Sequence, residues 1–258
     1  MRIADRYDCF LLDLDGVLVR GDEPVAGAAG TIDALRADGK RFAFVTNNSA
    51  RTPEEVVGNL AKLGIRAAPD EVETSALATA DLLASRGVRT AFVVGERGIR
   101  AALAAAGVAV LDGDPERVDV VVVGWDRTAD YDKLRTASIL VQRGAALVAT
   151  NGDPSYPAPE GRWPGAGALL AVITTTTDAV PEVVGKPNPP LLLAALERAG
   201  GGAALVVGDR LETDIAGAVA VGWDSLLVLS GIARREDLDR SPVHPTYVGG
   251  DVSALLEP

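Results

Sequence analysis

Asp13 and Asp15 lie two positions apart around Leu14, directly after the apolar run Cys9-Phe10-Leu11-Leu12. Two carboxylates beside one phosphorus centre can divide the work of phosphoryl transfer. One attacks and forms an aspartyl-phosphate; the other protonates the leaving oxygen and then activates water. The first must stay ionised, which a nearby divalent cation ensures. The second needs a pKa above the reference of about 3.9 to act as an acid at neutral pH. In a continuing strand both would face one side, and Gly16 lets the backbone approach a phosphate closely. Three further clusters complete such a site. The Thr46 hydroxyl with the Asn47 amide can hold a phosphate oxygen, with Asn48 beside them. Lys186, between Gly185 and Pro187, can neutralise phosphate charge. Asp209, in Gly208-Asp209-Arg210, can bind a hard cation through oxygen; Mg²⁺ takes few protein carboxylates, with waters and phosphate oxygens completing its shell. Asp214 can anchor the metal's water or a ligand, and can also cap the following helix. Read singly, these clusters also fit local roles: solvated aspartates, an Asx-turn at Thr46-Asn47, a surface lysine in a turn.

Three of the four clusters end apolar runs, at about 8–13, 41–45 and 203–207. Such runs read as buried parallel strands, which deliver polar groups at their carboxyl ends. Alanine-rich helical stretches alternate with them, at about 27–38, 53–63, 97–106, 131–143, 189–199 and 214–221, with further strands at 90–94, 119–123, 145–149 and 225–229. Alternation of this kind predicts an α/β fold on a parallel sheet. Pro53 suits the first position of a helix capped by Thr52. Asn151–Gly167, with Pro154, Pro157, Pro159 and Pro164, reads as a long turn-rich connection. The dozen residues between Asp15 and the first helix cannot hold a domain, whereas the interval from Asn48 to Lys186 can. The expected organisation is therefore a core of residues 1–76 and 181–258, with a smaller α/β domain inserted at 77–180.

Composition narrows the function. A net charge of −11 argues against non-specific nucleic-acid binding, although a metal and one lysine can still create a local field for a phosphate. Cys9 is the single cysteine, which rules out an internal disulfide and reads as a buried thiol. No stretch reaches the roughly 18 apolar residues of a membrane helix, and the first residues have no apolar core of a leader. A soluble, cytoplasmic protein is expected. His244, the one histidine, sits between Pro242 and Pro245 as a loop residue, so a histidine-based triad or zinc site is excluded by count. No Gly-x-Gly-x-x-Gly follows a strand, against a dinucleotide cofactor.

In combination, Asp13-Leu14-Asp15-Gly16-Val17, Val45-Thr46-Asn47-Asn48-Ser49, Gly185-Lys186-Pro187 and Val207–Ile215 resemble the four motifs of the haloacid dehalogenase superfamily. The Thr-Asn-Asn form and the long insertion resemble its 4-nitrophenylphosphatase-like group. The resemblance implies a Rossmann-like core with an inserted α/β cap, and a Mg²⁺-dependent phosphatase of small phosphorylated metabolites. It implies Asp13 as nucleophile and Asp15 as acid and base. Gly16, Thr46, Asn47, Asn48 and Lys186 hold phosphate; Asp13, the Asp15 carbonyl and Asp209 hold the metal, with Asp214 behind them. Substrates of that group include glycerol phosphate, phosphoglycolate, pyridoxal phosphate, nucleoside monophosphates and 4-nitrophenyl phosphate. Asn151, Asp153 and Arg162-Trp163-Pro164-Gly165-Ala166-Gly167 resemble its substrate-selecting cap segment. Caps of the group often pack together, so a homo-oligomer through the cap is among the implied arrangements. A phosphotransferase or mutase, and a non-catalytic binder of phosphometabolites, are the alternatives.

Overall fold

Each polar cluster that ends an apolar run sits at the carboxyl end of a parallel strand. A computed structural model of the chain describes residues 1–158 and 160–257; Pro159, one of the prolines of the long connection, lies outside the described residues. In chain order the elements begin with β1 (Cys9–Asp13), a small hairpin β2 (Val19–Arg20) and β3 (Glu23–Pro24), α1 (Ala28–Ala37), β4 (Arg41–Thr46), α2 (Pro53–Lys62), β5 (Val72–Thr74) and α3 (Ser75–Ser85). The middle of the chain follows with β6 (Thr90–Val94), α4 (Arg97–Ala105), β7 (Ala109–Val110), β8 (Val120–Val123), α5 (Tyr131–Gln142), β9 (Ala146–Ala149), β10 (Ser155–Ala158), β11 (Gly161–Pro164), α6 (Ala166–Thr177) and β12 (Glu182–Val183). The last part contributes α7 (Pro189–Arg198), β13 (Ala204–Gly208), α8 (Ala216–Val221), β14 (Asp224–Val228) and β15 (Tyr247–Gly249). No helix among the described residues is long and apolar enough to cross a membrane.

The chain divides into two compact units. The first comprises Met1–Thr46, Pro53–Glu73 and Lys186–Pro258; the second comprises Asn47–Thr52 and Thr74–Gly185. In the first unit six strands lie in the order β15-β14-β13-β1-β4-β5. β1 runs parallel to both β13 and β4, with Leu12 opposite Val207 and Asp13 opposite Val45. Sheets covered on both faces need strands apolar along their whole length. That requirement explains Cys9-Phe10-Leu11-Leu12, all buried, the cysteine included as a free thiol. Phe10, Leu12, Phe44, Leu205, Val207 and Leu226 form one continuous core with Ile32 and Leu35 of α1. Complete burial of each such side chain stabilises by about 1.5–3 kcal/mol.

In the second unit five strands take the order β12-β9-β8-β6-β7, each parallel to its neighbours. α3 packs with α4 and α5 with α6. Asn47–Thr52 folds with this unit through specific bonds. The Ser75 hydroxyl donates to the Asn47 carbonyl at 2.7 Å, the Gly98 amide to the Ala50 carbonyl at 2.9 Å, and the Thr150 hydroxyl to the Ser49 hydroxyl at 3.0 Å. The proline-rich connection is more ordered than a loop: β10 and β11 pair as an antiparallel hairpin. Prolines are tolerated there because a two-stranded ladder has only edges.

The core makes a direct prediction. Phe10 is fully buried and meets Tyr7 edge-on, with ring centroids 6.5 Å apart. Phe10→Ala should cost about 3–5 kcal/mol. The check is the urea midpoint followed by circular dichroism; a loss below about 1 kcal/mol would mean that β1 is not the packed centre of its sheet.

Candidate functional site

Because β1, β4 and β13 are parallel neighbours, their carboxyl ends share one edge of the sheet. Asp13 is the last residue of β1, Thr46 the last of β4, and Asp209 follows Gly208 at the end of β13. Lys186, just ahead of α7, joins them: its ammonium donates to Asp13 Oδ1 at 2.6 Å and to Asp214 Oδ1 at 2.5 Å. Lys186, Asp209 and Asp214 are 4%, 1% and 1% exposed, so these charges are withdrawn from bulk water. Thr46 is buried as well.

Electrostatics sets the character of this cluster. Asp13, Asp209 and Asp214 each offer an oxygen within 4.8 Å of the others. Three carboxylates against one ammonium leave two negative charges uncompensated. Burial pushes the Asp13 carboxyl well above its ordinary range, against the pull of Lys186, and Asp214, Asp209 and Asp15 push it further. Burial, with Asp214, raises Asp209 to about 6, against the Ile232 amide, Arg210 and Lys186. Burial works against the Lys186 charge, but Asp13 and Asp214 outweigh it and hold the ammonium above its usual range. Asp209 Oδ1 is buried with no hydrogen-bond partner among the described residues. An orphaned carboxylate oxygen beside two more carboxylates, with two charges to balance, fits a hard divalent cation bound through oxygen. Asp13, Asp209 and Asp214 are the side chains that could hold it.

Several predicted residues take positions that spacing alone did not convey. β1 stops at Asp13, so Asp15 is not a further strand residue on the same face. It lies exposed in a turn, bridged to Val19, while Asp13 is half-buried. Gly16 has φ +84°, and a Cβ there would lie 2.2 Å from Asp209 Oδ2, so glycine is required by both conformation and space. Asp214 does not cap α8. A wide turn over Leu211–Ile215 precedes that helix, and within it Asp214 Oδ2 accepts the Arg210 amide at 3.1 Å. Asn47 and Asn48 belong to the second unit. There Asn47 Nδ2 donates to Asp153 Oδ2 at 3.2 Å, Asn151 Nδ2 donates to the Asn47 carbonyl at 2.7 Å, and Asn48 Oδ1 accepts the Ala50 amide at 3.0 Å in an Asx-turn. Trp125 is half-buried and stacks on Tyr156, with ring centroids 4.3 Å apart.

One segment of the site lay outside the sequence expectations. After β14, the Ile232 amide donates to Asp209 Oδ2 at 2.7 Å, and the Ser230 hydroxyl donates to the Gly16 carbonyl at 2.6 Å. The signal was present: Ser225–Leu229 is an apolar run ending in Ser230-Gly231, the same pattern that marked the other strand ends.

Family models agree with this architecture. One for haloacid dehalogenase-like hydrolases matches residues 10–109, and a second, HAD-hydrolase-like, matches 183–255. An acid sugar phosphatase of Staphylococcus aureus is 38% identical over 254 residues, 97% of each chain. A glycerol phosphate phosphatase of Mycobacterium tuberculosis, solved with magnesium, superposes with a TM-score of 0.94 at 39% identity, over 99% of this chain and 78% of that one. A 4-nitrophenylphosphatase of Thermotoga maritima gives a TM-score of 0.93 at 32% identity, over 100% of this chain and 99% of that one.

The raised Asp209 carboxyl has a stability consequence in metal-free protein. A carboxyl whose folded pKa exceeds its unfolded value of 3.8 stabilises the fold below that pH, and the benefit is lost as pH rises through about 6. Asp209→Asn mimics the protonated form. In EDTA, the variant should match wild type at about pH 3 and be more stable at pH 7.5, by no more than about 3 kcal/mol. Added Mg²⁺ should reverse the order at pH 7.5 by stabilising only wild type. Equal pH profiles in EDTA would show that Asp209 carries no burial penalty.

Proposed function

The chain belongs to the haloacid dehalogenase-like hydrolases, and from that premise we propose that it is a Mg²⁺-dependent phosphatase of small sugar or polyol phosphate monoesters. The observation that carries the reading is the Asp13–Lys186–Asp214 bridge, with Lys186 and Asp214 buried, beside the orphaned Asp209 oxygen. Metabolic phosphates of this size match the names of its relatives, an acid sugar phosphatase and a glycerol phosphate phosphatase.

Asp13 is the nucleophile: its free carboxylate oxygen attacks phosphorus in line and the ester oxygen leaves. Lys186 holds Asp13 through Oδ1 and keeps a permanent positive charge beside the phosphoryl oxygens. The Thr46 hydroxyl and the peptide amide that follows it bind a further phosphoryl oxygen. Asp15, exposed on its turn, protonates the departing alkoxide and then takes a proton from the water that hydrolyses the aspartyl-phosphate. Asp13 and Asp209, with Asp214 behind them, would hold Mg²⁺, which when bound would supply positive charge that keeps Asp13 ionised and offsets the charge of the transferring group. Choice among leaving groups is assigned to the second unit, as the cap of the fold.

Asp13→Asn keeps the side-chain shape and removes the attacking charge. Phosphate release should fall by at least about three orders of magnitude while the circular dichroism spectrum is kept. Residual turnover of more than a few per cent would exclude Asp13 as nucleophile. A screen by kcat/KM over glycerol phosphate, sugar phosphates, phosphoglycolate, pyridoxal phosphate, nucleoside monophosphates and 4-nitrophenyl phosphate tests the substrate class. Preference for a nucleotide or pyridoxal phosphate would overturn it. Transfer to an added alcohol with little free phosphate would instead identify a phosphotransferase.

A further inference from the structure

The loop after β14 touches the site at both the turn that carries Asp15 and the carboxylate of Asp209. The Ile232 amide takes Asp209 Oδ2, and the Ala233 amide donates to the Asp209 carbonyl at 3.0 Å. Fixing Oδ2 stops the group rotating and leaves Oδ1 as the buried oxygen with no hydrogen-bond partner among the described residues. Gly231 lies so close that a Cβ there would be 1.9 Å from Asp209 Oδ2, so the loop admits no larger residue at that point. Ser230 connects this grip to the neighbouring turn. Its hydroxyl donates to the Gly16 carbonyl, while the Gly16 amide donates to the Val19 carbonyl at 2.7 Å. The guanidinium of Arg20, on β2, donates to the Ser230 carbonyl and closes the ring of contacts from the hairpin side.

We propose that Ser230, assisted by Arg20, is a positioning residue that fixes the Asp15–Gly16 turn against Asp209 and thereby sets the fit of the site to its divalent cation. The proposal rests on the phosphatase reading above. Ser230 acts through the Gly16 carbonyl, so its loss leaves every carboxylate and Lys186 in place but lets the turn move relative to Asp209. Groups that orient a metal's ligands change affinity by about 10–100-fold when removed. Arg20 is exposed, so its removal breaks the same ring without opening the core.

The test compares wild type, Ser230→Ala, Ser230→Thr and Arg20→Ala by two readouts. One is the rise in Tm on titration with Mg²⁺ alone; the other is kcat, KM and the Mg²⁺ half-saturation of phosphate release. Ser230→Ala should need about tenfold more Mg²⁺ in both titrations and lose about tenfold in kcat, with KM within about twofold and Tm in EDTA unchanged. Arg20→Ala should shift in the same direction by less, and Ser230→Thr, which keeps the hydroxyl, should restore most of the loss. A Ser230→Ala variant with a wild-type Mg²⁺ midpoint overturns the proposal, as does equal impairment of the Ala and Thr variants. Wild type that binds Mg²⁺ but releases no phosphate from any ester refutes the phosphatase reading alone, since the Tm titration still reports on Ser230. Wild type with no Mg²⁺ response refutes both.

Discussion

The site depends on one buried ammonium held between the half-buried carboxylate of Asp13 and the buried carboxylate of Asp214. Lys186 donates to Asp13 and Asp214 where water cannot screen the charges. Breaking such a pair by removing one partner leaves an uncompensated buried charge, a loss of about 3–5 kcal/mol in other proteins. The bridge alone does not balance the site, because Asp209 adds a third carboxylate and its Oδ1 has no partner among the described residues. A stable fold with this much unpaired negative charge at one edge implies that charge balance is completed from outside. A divalent cation completes it, and its charge, with that of Lys186, then offsets the charge of a bound phosphate, which couples metal and substrate binding in one electrostatic arrangement.

The sheet makes that concentration of charge possible. Parallel register brings the ends of β1, β4 and β13 to one line, with Asp13 opposite Val45. The apolar bodies of the strands secure the backbone, so the polar ends need no freedom of their own. Core packing and chemistry are therefore linked through strand register: a one-residue slip of β1 would turn Asp13 into the opposite face.

This division also explains what was legible in the sequence. Asp13, Thr46 and Asp209 could be found because a buried parallel strand is apolar throughout and its first polar residue marks its end. Lys186 was legible only as a chemical necessity, since no long apolar run ends at it. The exit of Asp15 from the strand was not legible, because the turn is set by Gly16 meeting Asp209, a contact nearly two hundred residues away in sequence. The capping role considered for Asp214 failed for a similar reason: a wide turn and a helical N-terminus have the same composition over five residues. α6 escaped notice because it ends in the run Thr174–Thr177, which favours strands. The helix survives as Thr176 and Thr177 donate back to the carbonyls of Val172 and Ile173 at 3.0 and 2.7 Å. Ser230 and Gly231 carried the strand-end signal, but serine and glycine also mark ordinary turns.

Covalent catalysis by the carboxylate at the end of β1 is the claim on which the functional reading turns. Its most direct measurement is rapid acid quench of enzyme turning over a phosphate monoester with Mg²⁺, followed by peptide mass spectrometry. The expected result is one added phosphoryl group on the peptide containing Asp13, formed and lost at rates compatible with turnover. Steady turnover with no phosphoryl adduct on that peptide, under conditions where hydrolysis of the intermediate is slowed, would contradict it and point to direct attack by water.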